Sequence, residues 1–217
     1  MKNKLPEKIL LVSKSGSGKT MSFRNLNKET TGFINAEYKP LPFEGDFNHH
    51  GLPKTWQEAY NTLINYGKEP SIETVVLDSF SAYVDMIALN ARETEKGFDV
   101  WSKYNAEIGK LLTLIKRFPK PLFITAHYEW INEEGSISSE RRVKSKGSEW
   151  RGVIEKEFTV VLYGDVKIDP VDASKREYVF ILNSDGTSSA KCPPRLFGED
   201  VNEIPNDCQL ILDAINK

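Results

Sequence analysis

Cysteine is scarce in this chain of 217 residues, which has only Cys192 and Cys208. They lack the close spacing of a thiolate metal site, and two cysteines are too few for a disulfide framework. Long apolar runs are absent too: the chain has no stretch of about 18 apolar residues, the length that a membrane-spanning helix needs. The initial segment MKNKLPEK has no apolar region of the kind that secretory signals contain. These absences predict a protein of the reducing cytoplasm with no membrane partner.

An excess of charge of one sign is also missing, since 29 basic and 31 acidic residues give a net charge of −2. A DNA-binding surface would therefore have to be a local patch. The hydrophobic fraction of 39% is ordinary for a globular chain. We expect a single domain over residues 1–217, with its core at about 8–168 and a C-terminal β-hairpin and closing helix at about 169–217.

What the chain does contain is a Gly- and Ser-rich turn after an apolar segment, in the sequence ILLVSKSGSGKT. Such a turn, between a strand and a helix, is typical of a P-loop, whose backbone N–H groups close on phosphate oxygens. Lys19 would reach the β- and γ-phosphates, and the Thr20 hydroxyl would ligate Mg²⁺. The residues predicted to bind the nucleotide are Ser13, Lys14, Ser15, Gly16, Ser17, Gly18, Lys19, Thr20 and Met21.

Position 13 departs from the P-loop pattern GxxxxGK[ST], because serine stands where the pattern has glycine. Glycine relieves crowding of the backbone there, so serine requires a slightly different turn or some strain. The rest of the pattern, residues 16–20, is intact. The alternative is a Gly/Ser turn between a strand and a helix that binds no ligand. In that case the preceding apolar strand and the GKT segment would coincide by chance.

Predicted strands and helices alternate in the first part of the chain, which predicts a mainly parallel sheet flanked by helices. The strands are expected at 8–12, 30–36, 73–78 and 122–126, and the helices at 21–28, 54–66, 81–96 and 100–117. The proline-containing segment 38–53 is expected to be a loop. Two further strands, at 158–168 and 176–183, have no helix between them and predict an antiparallel extension. Residues 206–216 are expected to form the closing helix.

The segment TVVLDSF places Asp78 directly after an apolar run, as in a Walker B motif. A carboxylate there can hold Mg²⁺ through its water shell, opposite Thr20. An aspartate in this position is also common as a plain helix N-cap. The upstream GKT favours the metal role.

Three segments together resemble the ATPase core of the RecA family: GFINAEYKPLP, VVLDSFSAY and LFITAH. The resemblance covers roughly residues 8–197 and is greatest to compact phage-encoded RecA-like ATP-binding proteins, some of which are single-strand annealing recombinases. It implies an α/β RecA-like P-loop NTPase fold and DNA-stimulated hydrolysis of Mg-ATP. It also implies a ring or filament of identical subunits that acts on single-stranded DNA, in the host cytoplasm if the chain is phage-encoded. A single-strand DNA-binding protein is a further candidate partner.

The resemblance also implies catalytic residues. Glu37 would orient or deprotonate the attacking water, and His127 resembles a γ-phosphate sensor that is usually glutamine in the family. Lys191 and Arg195 resemble cations that reach the nucleotide of a neighbouring subunit. The alternatives are a solvated strand-end glutamate, a structural histidine and two ordinary surface cations.

Residues 128–151 are expected to form a long polar loop, which in RecA-like proteins binds DNA. Its predicted DNA contacts are Arg141, Arg142, Lys144 and Lys146, with Arg151 nearby and Tyr128, Trp130 and Trp150 as possible stacking platforms. The acids Glu133, Glu134 and Glu140 count against this interpretation. The alternative is a solvated connection.

Two other functions stay open on the sequence alone. One is a nucleotide-gated module that binds or anneals DNA with little turnover, which the serine at position 13 leaves possible. The other is a small-molecule kinase, which would have an arginine-bearing lid before the fourth strand. Residues 98–117 there have instead the pattern of an ordinary amphipathic helix.

Overall fold

A computed structural model describes residues 5–132, 139–147 and 149–217. Within these residues the main sheet has eight strands: β1 (Lys8–Val12), β2 (Thr31–Asn35), β3 (His49–Gly51), β4 (Thr74–Asp78), β5 (Leu122–Ala126), β8 (Val160–Ile168), β9 (Arg176–Ile181) and β10 (Glu203–Pro205). Two further strands, β6 (Tyr128–Asn132) and β7 (Ser139–Val143), form a separate antiparallel hairpin. The strand order of the main sheet is β10-β9-β8-β1-β5-β4-β2-β3.

The main sheet is parallel from β8 to β3 and antiparallel where β9 and β10 are added. Every residue of β1, β2, β4 and β5 is buried, as expected for parallel strands that are covered on both faces. The strand of the P-loop, β1, lies beside β5, and β5 lies beside β4, which ends in Asp78. The predicted mainly parallel α/β sheet with a C-terminal antiparallel extension is therefore confirmed.

Helices cover both faces of the sheet, and β1 shows why. Its alternate side chains point to opposite sides: Leu10 lies in one hydrophobic core and Ile9 in the other. The first core includes residues of α1 (Trp56–Lys68), α2 (Phe80–Thr94) and α3 (Asp99–Lys116). The second includes α5 (Cys208–Asn216), with the short helix α4 (Pro194–Phe197) nearby. None of the helices in the described ranges combines the length and apolar character needed to cross a bilayer.

The predicted helix at 21–28 is wrong. The P-loop is followed by a single 3-10 turn, Thr20–Phe23, and then by further turns. Asn27 explains part of this, since its side-chain oxygen accepts a hydrogen bond from the Glu29 amide at 2.8 Å. Such local bonds offer the backbone an alternative to a helix. Phosphates at this P-loop therefore meet one short turn rather than the end of a long helix.

Two predicted loops contain strands. In the segment 38–53, β3 pairs in parallel with β2, with His50 opposite Phe33. In the segment 128–151, β6 and β7 pair so that Trp130 lies opposite Arg141. The first loop was predicted from its prolines and the second from its polar residues, but part of each backbone forms hydrogen bonds by strand pairing. Glu133 and Glu134 lie outside the described residues.

Candidate nucleotide site

The predicted site residues converge because the parallel strands β1, β5 and β4 are neighbours and end at the same edge of the sheet. Ligands of open α/β sheets bind at the carboxyl ends of the strands. Val12 is paired with Ala126, so the P-loop starts beside His127. Asn35 is paired with Asp78, so the turn after β2 starts beside the Walker B strand end.

The P-loop has the left-handed backbone that its glycines permit, with φ values of 79° at Gly16 and 84° at Gly18. At Gly18 a side chain would also be crowded, because an added Cβ would lie 3.1 Å from Cδ1 of Tyr178. Ser13 is fully buried. A Cβ added to Gly164 of β8 would lie only 3.1 Å from the Cβ of Ser13. The serine is thus accommodated by a glycine on the neighbouring strand.

Lys19 is buried at the centre of the loop. Its Nζ donates to the carbonyl oxygens of Ser13, at 3.1 Å, and Lys14, at 2.8 Å, and lies 3.4 Å from Nδ1 of His127. Burial lowers the pKa of Lys19 to about 8, although the carboxylates of Asp78 and Glu37 act in the opposite direction. A phosphate at the loop would give this ammonium group the counter-charge that it lacks.

Asp78 is the most buried acid of the site, with 3% of its surface exposed. The Thr20 hydroxyl donates to Oδ2 at 2.7 Å, and the Thr125 hydroxyl donates to Oδ1. Burial raises the pKa of Asp78, while the two hydroxyl groups oppose that shift. The N-cap of α2 is Ser79, whose side chain accepts from the Ala82 amide at 3.2 Å, so the alternative role of Asp78 as the helix cap is wrong.

These groups fit a magnesium ion. A carboxylate beside a hydroxyl offers the hard oxygen ligands that Mg²⁺ prefers, and phosphate oxygens and water would complete an octahedral shell. Among the described residues no three His, Cys, Asp or Glu side chains cluster as a metal cage. Thr20 and Asp78 would thus hold the ion together with the nucleotide.

Glu37 lies at the turn after β2 and is half-buried. The Ser79 hydroxyl donates to its Oε1 at 3.0 Å, and Lys39 forms an ion pair with its Oε2 at 2.6 Å. Burial raises the pKa of Glu37, but the hydrogen bonds from Lys39 and Ser79 outweigh it and the pKa is lowered. The carboxylate is therefore ionised and placed in the cleft. Its role in activating water stays a prediction.

His127 connects the two sides of the cleft. Its Nδ1 lies 3.3 Å from the Ser13 carbonyl oxygen, and its Nε2 lies 3.9 Å from Oε1 of Glu37. Burial and the nearby Lys19 ammonium lower the pKa of the imidazole. A neutral imidazole carries one N–H group that could donate to a phosphate oxygen. The sensor role stays a prediction, and the structure supplies the position for it.

The cleft has a volume of about 680 Å³ and extends from the predicted catalytic groups to the antiparallel extension. Of the predicted nucleotide-binding residues, those that line it are Ser15, Gly16, Gly18, Lys19, Thr20 and Met21. Ser13 and Ser17 are buried beneath the loop, and Lys14 is exposed. Sequence reasoning missed the lining residues Arg24, Tyr178, Pro205 and Asn206. No local motif marks them: Arg24 follows the P-loop directly, and the pairing of β9 with β10 brings together Tyr178, Pro205 and Asn206.

Lys191 and Arg195 lie outside the cleft of their own chain. Arg195 forms an ion pair with Glu7, which precedes β1, whereas the P-loop follows the other end of that strand. Lys191 exchanges two backbone hydrogen bonds with Val161 of β8, at 2.8 and 2.9 Å, and is exposed. Any contact with a nucleotide would therefore come from a neighbouring copy, and that role stays a prediction.

Arg141 does not have the setting of a DNA contact, which corrects the sequence-based assignment. Only 9% of its surface is exposed, and its guanidinium group pairs with Asp185 at 3.2 Å. The guanidinium carbon lies 5.2 Å from the ring centre of Tyr163 and 5.8 Å from the ring centres of Tyr128 and Trp130. These contacts attach the hairpin to the main sheet.

The other predicted DNA contacts are more accessible. Arg142 pairs with Glu140 at 2.6 Å, and Lys146 pairs with Asp85 at 2.6 Å. Lys144 is exposed and forms no ion pair with any other residue that the structure describes. Trp130 is 53% exposed on the hairpin. The indole nitrogen of Trp150 instead donates to Asn105 at 2.9 Å, so this ring is held on α3.

Two solved structures are similar to this chain over most of its length. The chain is similar to the RadB recombinase at 14% identity, over 81% of this chain and 79% of that one, with a TM-score of 0.49. It is similar to a KaiC-like protein from the hyperthermophilic archaeon Pyrococcus horikoshii at 15% identity, over 81% and 80% of the two chains, with a TM-score of 0.45. At these TM-scores no inference about activity follows from either similarity.

The family assignment comes from the sequence match. No curated protein sequence matches the chain closely enough to count as a relative. Residues 5–193, by contrast, match the model of the family described as AAA domain, AAA_24. That range contains the P-loop, Glu37, Asp78 and His127, which meet at one edge of the sheet. The chain therefore belongs to this AAA domain family of P-loop ATPases.

Proposed function

We propose that this chain binds Mg-ATP in the cleft at the ends of β1, β5 and β4 and hydrolyses it. The observation that carries the proposal is an ionised carboxylate, Glu37, held in the same cleft as Lys19 and the Thr20–Asp78 pair. A phosphate-binding loop alone would support nucleotide binding only. The added carboxylate supplies a base for the attacking water. Phosphate release from ATP, measured with and without single-stranded DNA, tests the proposal.

Each residue has a distinct part in this proposal. The P-loop N–H groups and Lys19 hold the phosphate oxygens and stabilise their charge. Glu37 orients the attacking water and accepts its proton, while Ser79 and Lys39 keep the carboxylate in place. His127 senses the terminal phosphate. Thr20 and Asp78 would hold a magnesium ion, whose charge would offset that of the transferred phosphoryl group.

The other candidate functions make different predictions for the same assay. A nucleotide-gated module would bind ATP and show negligible phosphate release. A small-molecule kinase would need an acceptor pocket under an arginine-bearing lid, but the segment before β5 is the packed helix α3, which buries Tyr104, Ile108 and Leu111 against the core. Hydrolysis without an acceptor molecule therefore supports the ATPase over both.

The hairpin β6–β7 is the surface that we propose for single-stranded DNA. It begins directly after His127, and the Lys144 amide donates to the His127 carbonyl oxygen at 2.8 Å. A change at His127 on nucleotide binding would therefore act on both ends of the hairpin. The exposed ring of Trp130 supplies a stacking surface, and the neighbouring cations supply phosphate contacts.

DNA binding is predicted to depend on Arg142, Lys144 and Lys146. Each neutralised phosphate contributes about −0.7 to the slope of log K against log salt on single strands. Their replacement by alanine is therefore expected to weaken binding and to flatten this slope by up to about 2. The ion pairs of Arg142 and Lys146 are partly open to solvent and therefore weak, so phosphates can compete for these cations. Salt titrations of a fluorescent oligonucleotide measure both quantities.

The control is a triple alanine variant of exposed lysines elsewhere, Lys54, Lys68 and Lys96, which removes the same charge from other surfaces. Arg141 is left intact, because its removal would loosen the hairpin and confuse the result. ATP binding should survive in both variants. If the two variants have the same affinity and slope as the unchanged protein, DNA is not bound at this hairpin.

We also propose that copies of the chain assemble as a ring or filament in which Lys191 of one copy reaches the nucleotide of the next. Its exposed position outside its own cleft leaves its ammonium group accessible to a neighbouring copy. A mixture of Lys191→Ala and Lys19→Ala proteins is therefore expected to recover part of the ATPase rate, since one mixed interface has both lysines. A protein with both substitutions in one chain, mixed with Lys19→Ala, should recover nothing. Absence of recovery after confirmed subunit exchange counts against the contact.

A further inference from the structure

We propose that the antiparallel extension of the sheet builds a subsite for the purine base of the nucleotide, with Tyr178 as its stacking surface and the Asn206 amide as its hydrogen-bonding group. The inference rests on the proposed binding of a triphosphate at the P-loop. It names the residues of the cleft that would contact the base and so distinguish one nucleotide from another. It also gives β9 and β10 a role in binding.

The two residues lie side by side against the P-loop. The backbone N–H of Asn206 donates to the Tyr178 carbonyl oxygen at 3.0 Å, which aligns the end of β10 with β9. A Cβ built on Gly18 would lie 3.1 Å from Cδ1 of Tyr178 and 3.5 Å from Oδ1 of Asn206. Gly18 immediately precedes Lys19, so a base in contact with Tyr178 and Asn206 is adjacent to bound phosphates.

The side-chain nitrogen of Asn206 has no hydrogen-bond partner among the described residues. Only 5% of the residue is exposed, yet its Nδ2 bonds to no other residue that the structure describes. A buried donor of this kind is costly and uncommon in folded proteins. The main chain of Asn206 is held at both ends, because Arg24 also donates to its carbonyl oxygen at 2.9 Å. The amide is therefore a positioned group on the wall of the cleft whose hydrogen bonding a ligand can complete.

Tyr178 and Pro205 supply the apolar surface beside this amide. Tyr178 is 37% exposed and lines the cleft together with Pro205. Aromatic rings stack on nucleic-acid bases with an appreciable gain in affinity. The Arg24 guanidinium group is engaged by the carbonyl oxygens of Met21 and Asn206, so it borders the subsite without competing for the base.

The chemistry of an amide side chain favours adenine. An amide presents one donor and one acceptor side by side, and the amino edge of adenine presents the complementary pair, N6 and a ring nitrogen. Asparagine pairs with adenine in this way in protein–DNA complexes. The occupant that fits both the amide and the neighbouring phosphate loop is an adenosine triphosphate.

The experiment compares ligands that share a triphosphate: Mg-ATP, the triphosphate of purine riboside, which lacks the 6-amino group, and tripolyphosphate, which lacks base and sugar. In the unchanged protein, ATP is expected to bind on the order of tenfold more tightly than purine riboside triphosphate, because one buried hydrogen bond is lost. In Asn206→Leu this ratio is expected to fall to about one. Calorimetric titration gives the dissociation constants.

Tyr178→Ala should weaken the binding of ATP and of purine riboside triphosphate by a similar factor, on the order of tenfold, and Tyr178→Phe, which keeps an aromatic ring, should weaken both by less. If a substitution disturbs the P-loop, the binding of both ligands weakens equally, because both carry the same phosphates. The ratio of their dissociation constants is then unaffected. The inference is overturned if the unchanged protein binds the two equally, a result that needs no variant, or if Asn206→Leu keeps the ratio. Tripolyphosphate binding that requires Lys19 would show that the proposed phosphate site stands in either case.

Discussion

Replacement of Lys19 by alanine is expected to abolish Mg-ATP binding, with a loss of affinity on the order of 100-fold or more. The ammonium group is the one cation that the P-loop itself directs at the phosphates, and charge-assisted hydrogen bonds of this kind are the strong ones. Its three contacts lie within the site, with Ser13, Lys14 and His127. The fold should therefore survive. Calorimetric titration with Mg-ATP measures the loss.

Lys14→Ala is the matched control, because Lys14 lies in the same loop and is exposed. Its side chain forms no contact within the site, so we expect ATP binding close to that of the unchanged protein. Circular dichroism of both variants verifies that the fold is intact. Wild-type affinity in Lys19→Ala would mean that the GKT segment is not a phosphate site.

Glu37→Gln is expected to keep ATP binding and to lower the hydrolysis rate by on the order of 100-fold or more, as for the loss of a positioned base. Glutamine retains the shape and can still interact with Ser79, but it cannot accept a proton from water. It also releases Lys39 from its ion pair at the mouth of the cleft. Steady-state kinetics over a range of ATP concentrations separates the loss in kcat from any change in KM.

Two further substitutions make this test specific. Asp78→Asn should instead raise the magnesium concentration needed for activity, because Asp78 is paired with the Thr20 hydroxyl. Glu29→Gln changes an exposed glutamate outside the cleft and should have no effect. If Glu37→Gln turned over ATP at the unchanged rate, Glu37 would be reduced to a strand-end residue that holds Lys39.

The sequence was most informative where a signal is local. The apolar runs of β1, β4 and β5 predicted buried strands within one or two residues of their observed bounds, because strands covered on both faces must be apolar throughout. The phosphate-binding segment was also visible, since the glycines at positions 16 and 18 have the positive φ that the turn requires.

Sequence reasoning failed where partners distant in the chain decide the structure. The polar residues 128–151 contain a hairpin because Arg141 is held by Asp185 and by three aromatic rings. The charge of Arg141 suggested a DNA contact, but burial gives it a structural role. The segment 38–53 contains β3 because the edge of β2 was free to pair with it.

The sequence by itself determined that this chain has a P-loop segment with Lys19 and Thr20 after one buried strand and an acid, Asp78, at the end of another. Those features depend on residues that are close together in the chain. Only the tertiary structure decided that Gly164 accommodates Ser13, that Ser79 rather than Asp78 caps α2, and that Tyr178 and Asn206 border the P-loop. Such contacts join residues that no sequence spacing relates, because the packing of the whole sheet brings them together.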